Sequence, residues 1–360
     1  MFRTFADMFK NKDIRNRIFF TLAMLFVFRF GSAITVPGVD VTELIKGMQD
    51  SSLFAMINML GGGGLEQLSI FAMGVGPYIT ASIIIQLLSM DVIPALTELA
   101  KGGATGKKQI DRYTRYLAVV LSFFQASTLV YSFSTQYKTL LVNGSGWASI
   151  LYVATLLTAG SMFILWIGDR ISMKGIGNGV SMIIAAGIIS RLPYQFTTAW
   201  QTLVDPSNSS ATFNGILTFG LYIVSYLLII VFVVFMQTAE RKIPIQYTSS
   251  TVTTRKKDMT YLPLKINSAS VIPVIFASAI MVAPLQICKM VWPAAGWVKT
   301  LETYMGMQTP VSLVIYVVLI LLFTFFYTKL QVDPEKIAEN LGKSGTYIPG
   351  IRPGTETKEY

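Results

Sequence analysis

The sequence contains no histidine and only one cysteine, and each scarcity excludes a class of chemistry. Without histidine the chain cannot build a histidine-ligated metal site, an HExxH zinc motif, or a Ser-His or Cys-His nucleophile pair. The single cysteine, Cys288, excludes an intramolecular disulfide, and we interpret it as a small packing residue. The composition therefore argues against many hydrolases and metalloenzymes.

Charged residues are also scarce. They make up 13% of the 360 residues, whereas 52% of the residues are hydrophobic. Soluble domains carry about 25% charged residues, so this composition indicates a membrane protein. Apolar runs of about 20 residues are long enough to cross a bilayer. They predict an all-α polytopic membrane protein with eight spans, at residues 17–36, 70–89, 114–133, 147–168, 178–193, 214–236, 270–290 and 311–329.

Lysine and arginine are distributed unevenly between the segments that join these spans. On the side opposite the N-terminus, the segments hold only Lys46, Lys138, Arg191, Lys289 and Lys299. Loops rich in lysine and arginine stay on the cytoplasmic side, so the sequence predicts that the N-terminus and residue 360 are both cytoplasmic. The net charge of +10 then belongs to that face, where it suits anionic lipids and an acidic or nucleic-acid-bearing partner.

The spans and loops divide the chain into four regions. Residues 1–16 interleave apolar and basic side chains and predict an amphipathic cytoplasmic N-terminal helix. Residues 17–193 form a first half with spans 1 to 5. Residues 194–329 form a second half with spans 6 to 8, including a polar cytoplasmic loop at 238–267. Residues 330–360 form a cytoplasmic C-terminal segment.

Glycine and proline interrupt two of the spans. Span 2 contains Gly74, Gly76 and Pro77, and span 5 opens on the string GIGNG. These residues disfavour a continuous helix, and backbone groups freed at membrane depth are tolerated only against protein or a water-lined path. We therefore predict that the span 2 helix is broken and that the span 5 glycines allow close helix packing. Each break is followed by two aliphatic residues four positions apart, a spacing that fits either a pore lining or core packing.

Two glycine-rich strings invite comparison with nucleotide-binding loops, and neither fits. GGATGKK has one residue too few between its glycines for a phosphate loop, and Lys108 stands where the hydroxyl should be. GIGNG lacks the preceding strand of a dinucleotide fold. We therefore expect no catalytic residue, metal or cofactor, and any energy source must be a partner.

Five longer strings, in order along the chain, closely resemble the SecY family, whose members are the central subunit of the bacterial Sec protein translocon. They are FRFGSAITVPGVD, SIFAMGVGPYITASIIIQLL, KGIGNGVSMII, LPLKINSASVIPVIFA and YIPGIRPG. The resemblance implies a clamshell of ten membrane helices, of which this chain contains about eight. It also implies a pore ring of aliphatic side chains, an outer plug helix and a lateral gate that opens toward lipid. The implied function is to translocate unfolded polypeptides across the cytoplasmic membrane and to insert membrane segments into it.

Site residues follow from this resemblance, position by position. The pore ring falls on Val75, Ile79, Val180, Ile184 and Ile275. The plug falls on about 52–64, and the plug and hinge residues are Phe54, Ile57, Leu60, Gly61 and Gly64. The lateral gate falls on Gln86 and Gln125, and partner docking falls on Arg255, Lys256, Lys257 and Arg352.

The family also implies partners and a location. These partners are the small membrane subunits SecE and SecG, the SecA ATPase, the ribosome and its RNA, secretory preproteins with signal sequences, and anionic lipids. The location is the bacterial cytoplasmic membrane. The chain departs from the family in two places: two spans expected after YIPGIRPG are not in this sequence, and DMTYLPLK differs from the usual Ser-Thr-His run before LPLK.

Two other membrane functions remain as alternatives. A secondary transporter also uses broken helices around a midplane site, but ionisable residues within spans would favour it, and Arg29 is the only charge clearly inside one. An intramembrane protease of the serine, metallo or aspartyl type needs histidine or intramembrane aspartate. The sequence has no histidine and places no aspartate within a span.

Overall fold

The computed structural model describes residues 10–42, 64–65, 67–89, 93–137, 139–142, 144, 146–204, 209–247, 260–269, 271–292, 295–306, 309–332 and 334–360. Several predicted features lie outside these ranges: residues 1–9 of the N-terminal helix, Phe54, Ile57, Leu60 and Gly61 of the plug and hinge, and Arg255, Lys256 and Lys257 of the docking loop.

Helices dominate the described residues, and every predicted span contains one. In chain order they are α1 (Lys12–Ser32), α2 (Gly76–Leu88), α3 (Pro94–Lys101), α4 (Gly103–Gln136), α5 (Trp147–Lys174), α6 (Gly179–Leu203), α7 (Ser209–Thr238), α8 (Ile272–Val291), α9 (Gly296–Met305), α10 (Pro310–Gln331), α11 (Pro334–Lys343) and α12 (Thr355–Glu359). Spans 1 to 8 correspond to α1, α2, α4, α5, α6, α7, α8 and α10. The predicted all-α polytopic architecture is confirmed.

Among the described residues, four helical stretches are long and apolar enough to cross a membrane. They are Thr105–Thr135, Trp147–Lys174, Thr212–Thr238 and a stretch that begins at Pro310. Helix α2 is apolar but has only 13 residues. It is short because the glycines and proline of span 2 take the outer part of that span out of the helix.

The chain divides into two compact units. The first comprises Met1–Thr197 and Ala279–Val314, and the second comprises Thr198–Ser278 and Ile315–Tyr360. Each unit has its own apolar packing, described separately below.

In the first unit, α4 and α5 pack against each other and against two non-helical segments, one after α1 and one before α2, that are predicted to lie on the outer side. Leu68, Phe133 and Leu157 are fully buried in this core. Backbone bonds join the outer segments, since the Val36 amide donates to the Leu68 carbonyl at 3.1 Å. The outer segment after α1 also carries a local turn, in which the hydroxyl and amide of Thr42 donate to Asp40 at 2.6 and 3.0 Å. These bonds, the hydroxyl bond most, lower the pKa of the Asp40 carboxyl.

In the second unit, the predicted polar loop at 238–267 contains two β-strands that were not predicted. Strand β1 (Glu240–Tyr247) pairs antiparallel with β2 (Thr260–Lys265) on one side and with β3 (Thr346–Tyr347) on the other. Ile243 and Ile245 alternate inward from β1 and are buried beside Ile348. The sheet therefore joins the loop after α7 to the C-terminal segment.

Candidate functional site

The break in span 2 is the first element of the site. Residues 67–75 form turns rather than helix, and α2 begins at Gly76. Pro77 lies in the first turn, where its missing N–H costs no helical hydrogen bond. The first helical bond runs from the Ile79 amide to the Val75 carbonyl at 3.1 Å, so the carbonyl of Gly74 lies outside the ladder. The predicted break of span 2 is confirmed.

Helix α5 contacts this break closely. The Ser161 hydroxyl donates a hydrogen bond to the Gly74 carbonyl at 3.0 Å, and Ser161 is buried. One residue earlier, Gly160 lies against the backbone of Ile70, and a Cβ there would collide with the Ile70 carbonyl oxygen. The break is thus held by protein, as freed backbone at membrane depth requires.

The glycine cluster before α6 is the second element. Gly177 has a φ of 70°, which favours glycine. The amide of Gly179, the first residue of α6, donates to the Ser172 hydroxyl at 2.8 Å, and the Ser181 amide donates to Asn178 Oδ1 at 3.2 Å. From α1, Thr21 Oγ1 accepts a bond from the Ile176 amide at 3.1 Å. Two of the first-turn amides that a helix leaves unpaired, those of Gly179 and Ser181, therefore donate to side-chain oxygens.

Four of the five predicted pore-ring residues come together in one apolar cluster. Val75 is buried in it, and Ile79, Val180 and Ile184 are half-buried and pack against it. The other buried members come from α1, α5, α6 and the break: Phe28, Phe71, Ile164, Ile167, Ile171 and Ile183. The spacing alone left open whether these two breaks meet, and the structure brings them together.

The fifth ring residue, Ile275, belongs to the second unit. It lies in the first turn of α8 and is half-buried, and its carbonyl accepts a bond from the Ser278 hydroxyl at 2.8 Å. Its role in a ring stays a prediction.

The remaining predicted site residues are placed as follows. Gln86 is exposed near the end of α2, and Gln125 is half-buried in α4, which packs against α2. Gly64 is buried, and its carbonyl accepts a bond from the Ser69 amide at 2.8 Å. Arg352 is exposed in a turn between Gly350 and Gly354, whose φ angles of 85° and 109° favour glycine.

An ion pair joins two helices of the first unit. Arg115 of α4 and Asp169 of α5 form an ion pair at 2.9 Å, and both side chains remain partly exposed. The neighbouring Arg170 guanidinium lies 5.3 Å from the centre of the Trp166 ring. Within the described ranges, no group of three or more acidic, cysteine or histidine side chains is arranged to hold a metal ion.

Sequence reasoning missed the small polar residues that hold the two breaks. The signal was present in span 4, where Gly160, Ser161 and Gly168 interrupt an otherwise apolar run, with Ser172 four residues after Gly168. Small residues and hydroxyls in a membrane helix are typical of close helix packing.

Comparison with known proteins gives consistent results. The family model described as SecY matches residues 69–360. The protein translocase subunit SecY of Staphylococcus carnosus is 43% identical over 361 residues, which cover 100% of this chain and 83% of that protein. The corresponding subunit of Streptococcus gordonii is 41% identical over 362 residues, with 100% and 82% covered.

Solved structures share the fold at low sequence identity. A structure described as that of a protein conducting channel has a TM-score of 0.64 and 17% identity, with 96% of this chain and 80% of that chain covered. Sec61 in the canine ribosome-channel complex has a TM-score of 0.59 and 17% identity, with 92% and 76% covered. The helical arrangement described above is therefore that of these channels.

Proposed function

The chain belongs to the SecY family, and we propose that it is the channel subunit of a protein translocase in a bacterial cytoplasmic membrane. It is a multi-pass membrane protein and a protein-conducting channel, which acts by conduction rather than by catalysis. The observation that carries the finer proposal is the cluster in which Val75, Ile79, Val180 and Ile184 meet after two helix breaks.

In this proposal the four aliphatic residues, with Ile275 from α8, form the pore ring. A narrow aliphatic constriction excludes water and ions but offers no fixed charge or hydrogen bond to retain a passing polypeptide. The plug at about 52–64 covers the ring from the outer side, and Gly64 serves in its hinge. Val75 is buried and the other three residues are half-buried in one apolar cluster, which supports their assignment to the same part of the ring.

The lateral gate is proposed to open between α2 and α4 on one side and α8 and α10 on the other. Gln86 and Gln125 lie on the first pair of helices. Hydrogen bonds between membrane helices contribute about 0.6 to 2 kcal/mol each, so such side chains hold a gate closed yet yield to an apolar signal segment.

The cytoplasmic sheet supports the docking proposal. It joins β1 and β2, the strands on either side of residues 248–259, to β3 in the segment that carries Arg352. In the proposal, Arg255, Lys256, Lys257 and Arg352 act on one cytoplasmic surface. Basic residues there suit an acidic motor such as the SecA ATPase, or ribosomal RNA. Two structural relatives are described as ribosome complexes, the canine Sec61 channel and the yeast Ssh1 complex. SecE and SecG are the proposed membrane subunits, and anionic lipid is the proposed surface for the remaining positive charge.

Crosslinking tests the pore assignment. In a Cys288→Ser background, single cysteines at Ile79, Ile184 and Ile275 are probed with a secretory chain stalled during translocation through the assembled complex. All three should crosslink to the stalled chain. A cysteine at Leu228, exposed on α7, serves as the matched control and should not. Absence of crosslinks from the three ring positions in an intact complex would overturn the assignment.

A further inference from the structure

We propose that α5 is a template that sets the relative position, along the α5 axis, of the break in span 2 and the glycine cluster before α6. Ser161 and Ser172 are its positioning residues. The inference rests on the proposed function, because it concerns how the proposed ring residues Val75, Ile79, Val180 and Ile184 are brought to one level. The inference gives a role to α5, which contributes none of these four residues.

The first contact site on α5 holds the break in span 2. Gly160 lets the Ile70 carbonyl approach the helix surface, where any Cβ would collide with it. Ser161 then donates its hydroxyl to the Gly74 carbonyl at 3.0 Å in a buried setting. Gly74 directly precedes Val75, so this bond fixes the backbone from which the first ring residue projects.

The second contact site holds the start of α6. A Cβ on Gly179 would collide with the Gly168 carbonyl, so the two glycines lie in backbone contact. The Ser172 hydroxyl donates to the Gly168 carbonyl at 3.0 Å and accepts a bond from the Gly179 amide at 2.8 Å. Gly179 directly precedes Val180, so the second ring segment is fixed in the same way as the first.

The two contact sites share one face of α5. With 3.6 residues per turn, Gly160, Ser161, Gly168 and Ser172 fall within about 120° of the helix circumference. Gly160 and Gly168 are eight residues apart, which corresponds to about 12 Å along the axis. Ile164 lies between them on the same face, is fully buried and belongs to the cluster that contains Val75. A rigid helix with two contact sites therefore fixes the offset between the segments.

Each hydroxyl makes one bond outside α5: Ser161 donates to Gly74, and Ser172, which also donates to Gly168 within α5, accepts from Gly179. Thr158 is also buried in α5, but its hydroxyl donates to Ala154 of the same helix at 2.8 Å. Thr155 donates to Leu151 in the same way. Thr158→Ala is therefore the control matched in burial to Ser161→Ala: it removes a buried hydroxyl from the same helix but no hydrogen bond to either break.

The experiment uses the assembled translocon complex in proteoliposomes, in a Cys288→Ser background. Spin labels on cysteines at Leu88 of α2 and Ile189 of α6 report the distance between the two segments without altering a ring residue. The resting leak of iodide, measured on protein without the label cysteines, reports how well the ring excludes ions. We compare Ser161→Ala, Ser172→Ala, the double variant and Thr158→Ala, with Ser172→Thr as the variant that restores the hydroxyl.

We expect a second, displaced distance population in each serine-to-alanine variant. The resting iodide leak should rise about three-fold for each single variant, which corresponds to the loss of one average hydrogen bond between membrane helices. It should rise about ten-fold for the double variant, because the two losses add. Thr158→Ala should match the unsubstituted protein in both readouts, and Ser172→Thr should restore the single distance population. Unchanged distance distributions in both alanine variants would overturn the template.

The ring assignment is tested separately by Ile79→Gly and Ile184→Gly. If these variants raise the leak while the serine variants leave the distances unchanged, the ring stands and the template is wrong. If the serine variants shift the distances but neither they nor the glycine variants raise the leak, the template stands and the ring assignment is wrong.

Discussion

The hydroxyl of Ser161 donates a hydrogen bond to the carbonyl of Gly74, 87 positions earlier in the chain, at 3.0 Å. This bond joins the middle of α5 to the residues just before α2 begins. Its acceptor is a carbonyl that the helix break itself has freed, so the bond offsets part of the cost of the break. The break and the residue that satisfies it are thus parts of one feature, although they lie in different spans.

The Gly160 contact predicts an overpacking effect. In Gly160→Ala the new Cβ would collide with the Ile70 carbonyl, which is backbone and cannot rotate away. We expect a loss of about 1–3 kcal/mol in the free energy of unfolding, seen as a lower midpoint of thermal aggregation in detergent.

The control for this substitution is Gly220→Ala in α7. Nothing lies within 4 Å of a Cβ at Gly220, and the helix gains propensity there. We expect no loss, or a gain of about 0.4–1 kcal/mol. Equal midpoints for the two variants would contradict the close contact between Gly160 and Ile70.

Much of the architecture follows from composition, because few backbone structures can cross a bilayer. Apolar runs long enough to span it must be helical, and all eight predicted spans contain helices. The break in span 2 was also predictable, since Gly74, Gly76 and Pro77 disfavour a continuous helix. What spacing could not show is that the two breaks meet, because their contact depends on how α5 packs between distant parts of the chain.

The three-stranded sheet was not predicted for a different reason. Its longest strand, β1, reads ERKIPIQY, in which charges and a proline obscure a short alternation of two isoleucines. Strand β3 has only two residues, and it is identified by pairing with Gln246 and Tyr247 rather than by its own pattern. Pairings between segments about 100 residues apart leave no local signal.

The sheet predicts that a core change in β1 loosens the C-terminal segment. Ile245 is buried and packs in the same small cluster as Ile348, which follows β3. Ile245→Ala should cost about 2 kcal/mol, the lower end for a core truncation because the cluster is small. Trypsin should then cleave faster after Lys343 in the reconstituted protein.

Tyr261→Ala provides the control for this experiment. Tyr261 lies on β2 and is 42% exposed. Trypsin cleavage in this variant should proceed as in the unsubstituted protein. Equal cleavage rates for the Ile245 and Tyr261 variants would show that the cluster does not anchor the segment.

Charge reversal at Arg352 predicts weaker docking of a cytoplasmic partner. Arg352 is exposed, and its turn is fixed by the Thr357 hydroxyl, which donates to the Arg352 carbonyl at 2.8 Å. Because the backbone makes this bond, Arg352→Glu should leave the turn intact while it reverses the charge. We expect slower association of the SecA ATPase or of ribosomes with proteoliposomes, and a weaker dependence of binding on salt.

Lys343→Glu is the charge-matched control for docking. Lys343 lies on α11, where it pairs with Glu339 at 2.6 Å on the helix surface. Both side chains are exposed, so loss of this pair should change the stability little. If Lys343→Glu weakens association as much as Arg352→Glu does, net charge rather than Arg352 controls docking.

The ion pair between Arg115 and Asp169 predicts a coupling that single substitutions cannot reveal. The pair joins α4 to α5 at 2.9 Å, but the Arg115 side chain is 51% exposed and that of Asp169 is 31% exposed. Solvent screening therefore limits its contribution to about 0.2–1 kcal/mol. In a double-mutant cycle of Arg115→Gln and Asp169→Asn, the effect of each substitution on stability should depend on whether its partner is still present. The midpoint of thermal aggregation measures each corner of the cycle, and repetition at high salt should reduce the coupling. Strict additivity at low salt would mean that the two side chains contribute independently and that α4 and α5 are held together by their apolar contacts alone.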